Sequence, residues 1–214
     1  MTATRFWWIR HAVVRSNGVI YGQADAPADC GDSEAFAGLA RMLPTDAVWV
    51  ATPLQRTQQT ARAIWAALDA PPADFDAVEP ALMEQHFGDW QGRNRAEIHA
   101  LFPEAERRFW LAPARHAPPG GESFAELCAR ATPVIEHLAE TYQGRDVIVV
   151  AHGGTIRAAL GRALGLEPEP MLSFSAENLS LTRIDWFPPA DGRGEQWRVG
   201  AVNAPPSLSA AEWG

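Results

Sequence analysis

Two histidines stand where apolar runs end. His11 follows Phe6-Trp7-Trp8-Ile9 and Arg10, and His152 follows Val147-Ile148-Val149-Val150-Ala151 and precedes Gly153-Gly154-Thr155. In an open α/β sheet, ligands sit just beyond the carboxyl ends of the strands. An imidazole placed there offers a nitrogen nucleophile, and an arginine offers a planar donor fork suited to phosphate oxygens. Arg10 is one such arginine. Arg56 is the other, on the first turn of a helix that Pro53 opens after the run Ala47-Val48-Trp49-Val50-Ala51. Gly153 and Gly154, after a strand and before a helix, let a backbone approach an anion at the helix N-terminus. Glu84, in Leu82-Met83-Glu84-Gln85, supplies a carboxyl group, and a leaving alkoxide needs a proton.

Each piece alone has a plainer reading. A strand-end histidine is often structural, Arg56 fits a surface helix turn, and Glu84 is one acid after an apolar segment. Together they complement a phosphomonoester, which carries about two negative charges near neutrality. Two guanidiniums and a cationic imidazole neutralise it. A hydrogen bond to a charged group contributes about 1.5–3 kcal/mol net.

The elements that must position these residues alternate. Strands are expected at Phe6–Ile9, Ala47–Ala51, more weakly Ala77–Leu82, and Val147–Ala151. A helix capped by Ser33 carries Phe36, Leu39, Ala40 and Leu43 on one face, up to Pro44. The helix after Pro53 carries Leu54, Ala61, Ile64, Trp65 and Leu68. Residues Asn94–Trp110 read as helical, interrupted by Pro103. Ser123 and Glu126 form a capping box that opens a long helix, which Pro133 should kink. Thr155–Leu164 is a further helix, ended by Gly165. Leu179–Phe187 and Gln196–Val202 pair as a hairpin. This alternation implies an α/β fold: a three-layer α/β/α arrangement around a mostly parallel central sheet. The chain reads as a single domain over residues 1–214, with a small helical cap inserted at about residues 90–121.

Composition excludes several classes. The 214 residues are 47% hydrophobic and 21% charged, with a net charge of −8, which argues against a general nucleic-acid surface. A local Arg/His cluster can still be positive on an acidic protein. Cys30 and Cys128 have no CxxC neighbour and read as free thiols. No apolar stretch reaches about 18 residues, and the first residues lack a secretory pattern, so no membrane association and a cytoplasmic location are expected. His86, His99, His116 and His137 show no metal-ligand pattern, so neither metal nor other cofactor is expected.

The motifs as a set resemble the histidine phosphatase superfamily, the phosphoglycerate-mutase-like and α-ribazole-phosphatase-like group. Arg10, His11 and Asn17 match its opening motif. Tyr21-Gly22-Gln23-Ala24-Asp25-Ala26-Pro27 resembles the loop that follows, and Thr52-Pro53-Leu54-Gln55-Arg56-Thr57-Gln58-Gln59-Thr60-Ala61 the second motif. Glu84 with Phe87-Gly88-Asp89-Trp90-Gln91-Gly92 matches the acid-bearing loop. Pro119-Gly120-Gly121-Glu122-Ser123 and Val150–Arg157 match the last two motifs. The likeness covers roughly residues 5–187. Ala12 stands where the family usually has Gly, harmless unless the position requires a positive φ. The segment after Pro27 also lacks the family's usual entry into the first helix.

The resemblance implies a phosphomonoester hydrolase working through a phosphohistidine on a small phosphorylated metabolite. His11 is then the nucleophile. Arg10, Arg56 and His152 hold the phosphoryl oxygens, and Glu84 protonates the leaving oxygen and later activates water. Asn17, Gly22, Gln23 and Gly153 contact the substrate. Glu122 is either a helix N-terminal carboxylate or a substrate contact, and Trp90, Phe109 and Trp110 either pack the cap or line it over an apolar leaving group. Two alternatives remain: mutase-type return of the phosphoryl group to the substrate, or a catalytically silent phosphate-binding scaffold. A homodimer is compatible with the sequence. The loops Asn17–Gly31 and Gln91–Gly121 select the substrate.

Overall fold

The computed structural model describes residues 2–103, 110–190 and 192–207. Six strands form one sheet in the order β3-β2-β4-β1-β5-β6. They are β1 (Thr4–Arg10), β2 (Ala47–Ala51), β3 (Ala77–Val78), β4 (Asp146–Ala151), β5 (Leu181–Phe187) and β6 (Gln196–Ala204). The first four pair in parallel, and β5 and β6 extend the sheet antiparallel beside β1. Successive strand side chains point to opposite faces, and here both faces are apolar. Phe6, Trp8, Val48, Val147 and Val149 pack beneath α4 (Phe124–Thr141), α5 (Gly153–Leu164) and α6 (Pro168–Met171). Trp7, Ile9, Trp49, Ile148 and Val150 pack beneath α1 (Ser33–Met42) and α2 (Gln55–Trp65). Strands buried on both faces read as continuous apolar runs, which is how β1, β2 and β4 stand in the sequence.

Register decides the chemistry. In the parallel pair β1–β4, Arg10 lies opposite Ala151, so His11 and His152 leave adjacent strands side by side. The His11 amide donates to the Ala151 carbonyl at 3.0 Å. On the other side of β4, β2 ends at Ala51 and places Thr52 beside the same strand tip.

Several expected boundaries move. The weak third strand is only Ala77–Val78 and gives way to a 3₁₀ turn, Pro80–Leu82, because Pro80 has no N–H to donate to a ladder. Asp32, not Ser33, caps α1, accepting from the Ala35 amide at 3.0 Å. The helix expected over Asn94–Trp110 is α3, Arg95–His99, capped by Asn94; residues 104–109 lie outside the described residues. The Ser123–Glu126 capping box is present, and α4 runs on as one helix through Pro133. The α5 helix begins at Gly153, two residues before expectation.

A third apolar cluster, Ile20, Phe87, Trp90, Ile98, Leu111 and Ala112, ties the segment after β3 to the loop after β1. Backbone bonds clip the two together: Ile20 donates to Arg93 at 2.9 Å, Gly92 to Ile20 at 2.8 Å and Arg95 to Gly18 at 2.8 Å. This pairing sets α3 beside the strand tips.

Candidate active site

His11 is buried, and its Nδ1 lies 2.7 Å from the Ala12 carbonyl. A carbonyl only accepts, so Nδ1 carries the proton and the neutral ring keeps its lone pair on Nε2. Two side chains hold the strand end, and a third bond anchors one of them to α2. Asn178 Nδ2 donates to the His11 carbonyl at 2.7 Å, the Ala12 amide donates to Thr60 Oγ1 at 2.8 Å, and Thr60 Oγ1 donates to the Arg56 carbonyl at 2.6 Å. Ala12 is fully buried and is not among the described residues of positive φ, so its methyl group is accommodated without backbone strain.

His152 faces His11, with ring centroids 5.2 Å apart at 59°. This spacing follows from neighbouring parallel strands about 4.8 Å apart. Its Nε2 is 3.0 Å from Thr52 Oγ1, and its Nδ1 is buried without a partner. Burial, then the guanidiniums of Arg56 and Arg10, push the His11 imidazole well below its ordinary range. Burial, Arg56, His11 and Arg10 do the same to His152. Both rings therefore favour the neutral form in the protein alone; the cationic imidazole expected from the sequence belongs to a phosphate-bound site, where a dianion would offset desolvation and the neighbouring guanidiniums.

Arg56 is not the surface residue that its place on a helix turn allowed. It is fully buried, and its terminal nitrogens donate to the carbonyls of Gly22 at 2.5 Å and Ala24 at 3.0 Å. The loop after β1 folds over it. Asp25 Oδ1 accepts from the Gln55 amide at 2.7 Å, capping α2 from outside the helix. The Arg56 guanidinium lies 5.0 Å over the Tyr21 ring, whose edge meets His11 at 6.2 Å. Arg10 donates to the Ala176 carbonyl at 2.6 Å. The Nε atoms of Arg10 and Arg56 are buried with no partner. With His152 Nδ1 they make three unsatisfied nitrogens around one strand tip, where an unpaired buried polar group costs about 1–3 kcal/mol.

Glu84 is buried, and its Oε1 accepts from the amides of Gln85 at 2.9 Å and Gly154 at 3.2 Å. A Cβ at residue 154 would stand 2.4 Å from that oxygen, so glycine there admits the acid as well as opening a helix N-terminus. Glu84, Arg10, Tyr21 and Gly22 line a cavity of about 300 Å³ with Arg95, Arg157 and Trp110. Arg157 donates to the carbonyls of Phe174 at 2.8 Å and Gly153 at 3.1 Å and lies 4.6 Å over the Trp110 ring; burial lowers its pKa to about 10. A roomier groove of about 530 Å³ between Val14 and Asp29 is mostly apolar, and its one arginine, Arg15, is paired with Asp29 at 2.5 Å. The smaller cavity is the one that brings the Glu84 carboxyl group together with Arg10, Arg95 and Arg157, and Arg10 leads directly into His11 at the end of β1.

Of the residues expected from the sequence, Arg10, His11, Arg56, Glu84, His152 and Gly153 converge. Gly22 is buried with φ +45°, and a Cβ there would meet Gln91 Oε1 at 2.6 Å. Gln23 Nε2 donates to the Glu84 carbonyl at 3.0 Å. Asn17 stands exposed on a turn with φ +50°, apart from the residues that line the cavity. Trp110 lines the cavity, whereas Trp90 is buried in the third cluster and stacks on His116 at 5.7 Å; Phe109 lies outside the described residues. Glu122 is neither of the things expected of it, since its carboxylate is taken by Arg130 and the His86 amide. Among the described residues, no three His, Cys, Asp or Glu side chains group to hold a metal ion. Sequence reasoning gave no role to Thr52, Asn178, Arg95 or Arg157. Thr52 and Arg157 lie inside quoted motifs, next to the strand ends, and that adjacency was the available signal.

The family described as the histidine phosphatase superfamily (branch 1) matches the chain over residues 6–201. A glucosyl-3-phosphoglycerate phosphatase of Mycolicibacterium vanbaalenii is 32% identical over 224 residues, 95% of this chain and 96% of that protein. The adenosylcobalamin/alpha-ribazole phosphatase of Escherichia coli is 29% identical over 188 residues, 85% of this chain and 89% of the relative. A 2,3-bisphosphoglycerate-dependent phosphoglycerate mutase of Gloeobacter violaceus is 38% identical over 151 residues, 69% and 64% of the two chains. The solved complex of mycobacterial glucosyl-3-phosphoglycerate phosphatase with inorganic phosphate superposes with a TM-score of 0.75 at 28% identity, covering 97% of this chain and all of that one.

Proposed function

The chain belongs to the histidine phosphatase superfamily, and from that premise we propose that it hydrolyses a small phosphomonoester through a phosphohistidine formed on His11. The observation that carries this reading is the His11 tautomer. Its Nδ1–H is spent on the Ala12 carbonyl, and burial and two guanidiniums keep the ring neutral, which leaves Nε2 nucleophilic. In the first step the Nε2 lone pair attacks phosphorus in line as the ester P–O bond breaks. Glu84 gives its proton to the departing oxygen. In the second step water attacks phosphorus, Glu84 takes a water proton, and the P–N bond pair returns to the imidazole.

Arg10, Arg56 and His152 bind the phosphoryl oxygens, and their unpartnered nitrogens gain the acceptors they lack. Such donors need no reorganisation at the moment of reaction, so they act mainly by electrostatic positioning. Thr52 accounts for the orientation of His152: with its O–H donated to Nε2, the Nδ1–H is free to meet the phosphate. The segment around α3 serves as a cap, and Arg95, Arg157 and Trp110 face the leaving group from it and from α5. Phosphate release from a chromogenic phosphomonoester tests the reading. His11→Ala should lower kcat by more than roughly a thousandfold, and an acid-labile phosphoryl label should be trapped on the wild type alone. Undiminished turnover by His11→Ala, or label on another residue, refutes the assignment. The mutase relative supports a second reading, return of the phosphoryl group to the substrate, which phosphoglycerate isomerisation without phosphate release would bear out.

A further inference from the structure

Glu84 sits on a segment without regular structure, between the 3₁₀ turns Pro80–Leu82 and Gly88–Trp90. A proton donor works only while its carboxyl group stays within hydrogen-bond reach of the atom it serves, so this backbone needs an external hold. Arg130, on α4, provides it. Its Nη1 donates to the Ala81 carbonyl at 2.6 Å, and its Nη2 donates to the carbonyls of Met83 at 2.9 Å and Glu84 at 3.0 Å. The guanidinium is braced from behind by Glu122, with Nε to Oε2 at 2.9 Å and Nη2 to Oε1 at 2.6 Å. Glu122 also grips the segment itself. Its Oε1 accepts from the His86 amide at 2.9 Å, its amide donates to the His86 carbonyl at 2.8 Å, and its carbonyl accepts from Gln85 Nε2 at 2.7 Å.

The pair is mostly shielded, with side chains 25% and 17% exposed, unlike the exposed ion pairs that contribute little. Among the described residues, every hydrogen bond that the Arg130 guanidinium makes goes to Glu122 or to the backbone of the segment from Ala81 to Glu84, so its contacts bear on where the acid stands. We infer that Arg130, braced by Glu122, is a positioning residue that fixes the Glu84 carboxyl group against the leaving oxygen. The inference rests on the reading of Glu84 as the proton donor.

The test compares kcat/KM, which reports the steps through phosphoryl transfer, on two substrates. Nitrophenyl phosphate expels a weakly basic phenolate that needs no proton, whereas a simple alkyl phosphate expels an alkoxide that does. Glu84→Gln sets the reference: a loss on the alkyl ester of about 10²–10⁴-fold, the usual contribution of a general acid, and a much smaller loss on the aryl ester. Arg130→Gln is expected to fall about tenfold or more further on the alkyl than on the aryl ester, with Arg130→Lys between it and the wild type. Equal losses on both esters for Arg130→Gln, while Glu84→Gln separates them, would make Arg130 a fold support only and overturn the inference. If Glu84→Gln itself fails to separate the esters, the acid assignment falls and takes the inference with it. Should Arg130→Gln not fold, Arg130→Lys and Glu122→Gln carry the same comparison.

Discussion

Acidification should destabilise this protein through the two histidines of the site. Both imidazoles are held well below their ordinary range in the folded chain, first by burial, while each titrates near 6.5 in the unfolded chain. Below that value the unfolded state binds more protons than the folded one, so stability rises with pH and is lost as pH falls. The window opens at about 6.5 and closes only at the depressed folded values. Within it each ring contributes a slope of up to about 1.4 kcal/mol per pH unit. From pH 8 to pH 5.5 the loss is about 1 kcal/mol per histidine, or about 2–3 kcal/mol for the pair. For a chain of this size that corresponds to roughly 4–12 °C in Tm. The measurement is denaturant unfolding of the wild type and of His152→Gln at both pH values. The variant's pH-dependent loss should be smaller by about 1 kcal/mol, whatever its stability at pH 8. Inorganic phosphate should flatten the wild-type dependence by stabilising the protonated rings. A variant with the wild-type slope would mean that His152 titrates normally in the folded state, and the account of a desolvated, cation-flanked pair would fail.

Arg56→Lys removes a fork that bonds two loop carbonyls and leaves one donor for the phosphate; kcat/KM should drop about 10–100-fold, with Tm lowered as well. Gly154→Ala sets a methyl group 2.4 Å from Glu84 Oε1 and 2.9 Å from Leu127 Cδ1, and should cost about 1–3 kcal/mol of stability by overpacking, read by urea unfolding, with turnover of alkyl phosphates impaired. Thr52→Val keeps the volume but strips His152 Nε2 of its partner; about 1–3 kcal/mol at a buried group corresponds to a loss in kcat/KM of roughly 5–150-fold at little change in fold, checked by circular dichroism beside kinetics.

The strands that bear the chemistry were legible because both their faces are buried. Phe6–Ile9 and Val147–Ala151 stand out as apolar runs, and a histidine after each is visible without coordinates. Their register was not legible: nothing local says that Arg10 lies opposite Ala151, since α1, β2, α2, β3, α3 and α4 all lie between the two strands in sequence. The long α4 announced itself by its capping box, whose two reciprocal bonds are local. The segment from Pro80 to Gly121 did not, because its order comes from contacts remote in sequence, such as Arg95 to Gly18 and Arg130 to Met83. Glu122 was misread for that reason. Its position before a helix pointed to the helix N-terminus, while its partner is a side chain two turns along the same helix. Burial of Arg56 was equally hidden, since it depends on a loop thirty residues earlier folding over a helix start.

The arrangement also explains why a neutral nucleophile can sit beside so much positive charge. Protonating His11 would add a charge beside Arg10 and Arg56 in a buried site, so the field that binds the phosphate is the field that keeps Nε2 unprotonated. In the proposed mechanism one set of guanidiniums thus serves both ends of the reaction. After burial, it is what lowers the His11 pKa, and its unpartnered Nε groups and His152 Nδ1 would receive the phosphoryl oxygens. Removing either arginine should therefore raise the His11 pKa while weakening phosphate binding. The acid limb of the kcat/KM profile for Arg56→Lys, whose charge is retained, should stay nearer the wild type than that of Arg56→Gln, whose charge is lost. An acid limb that is the same in both variants would separate binding from nucleophile neutrality and break the link drawn between them.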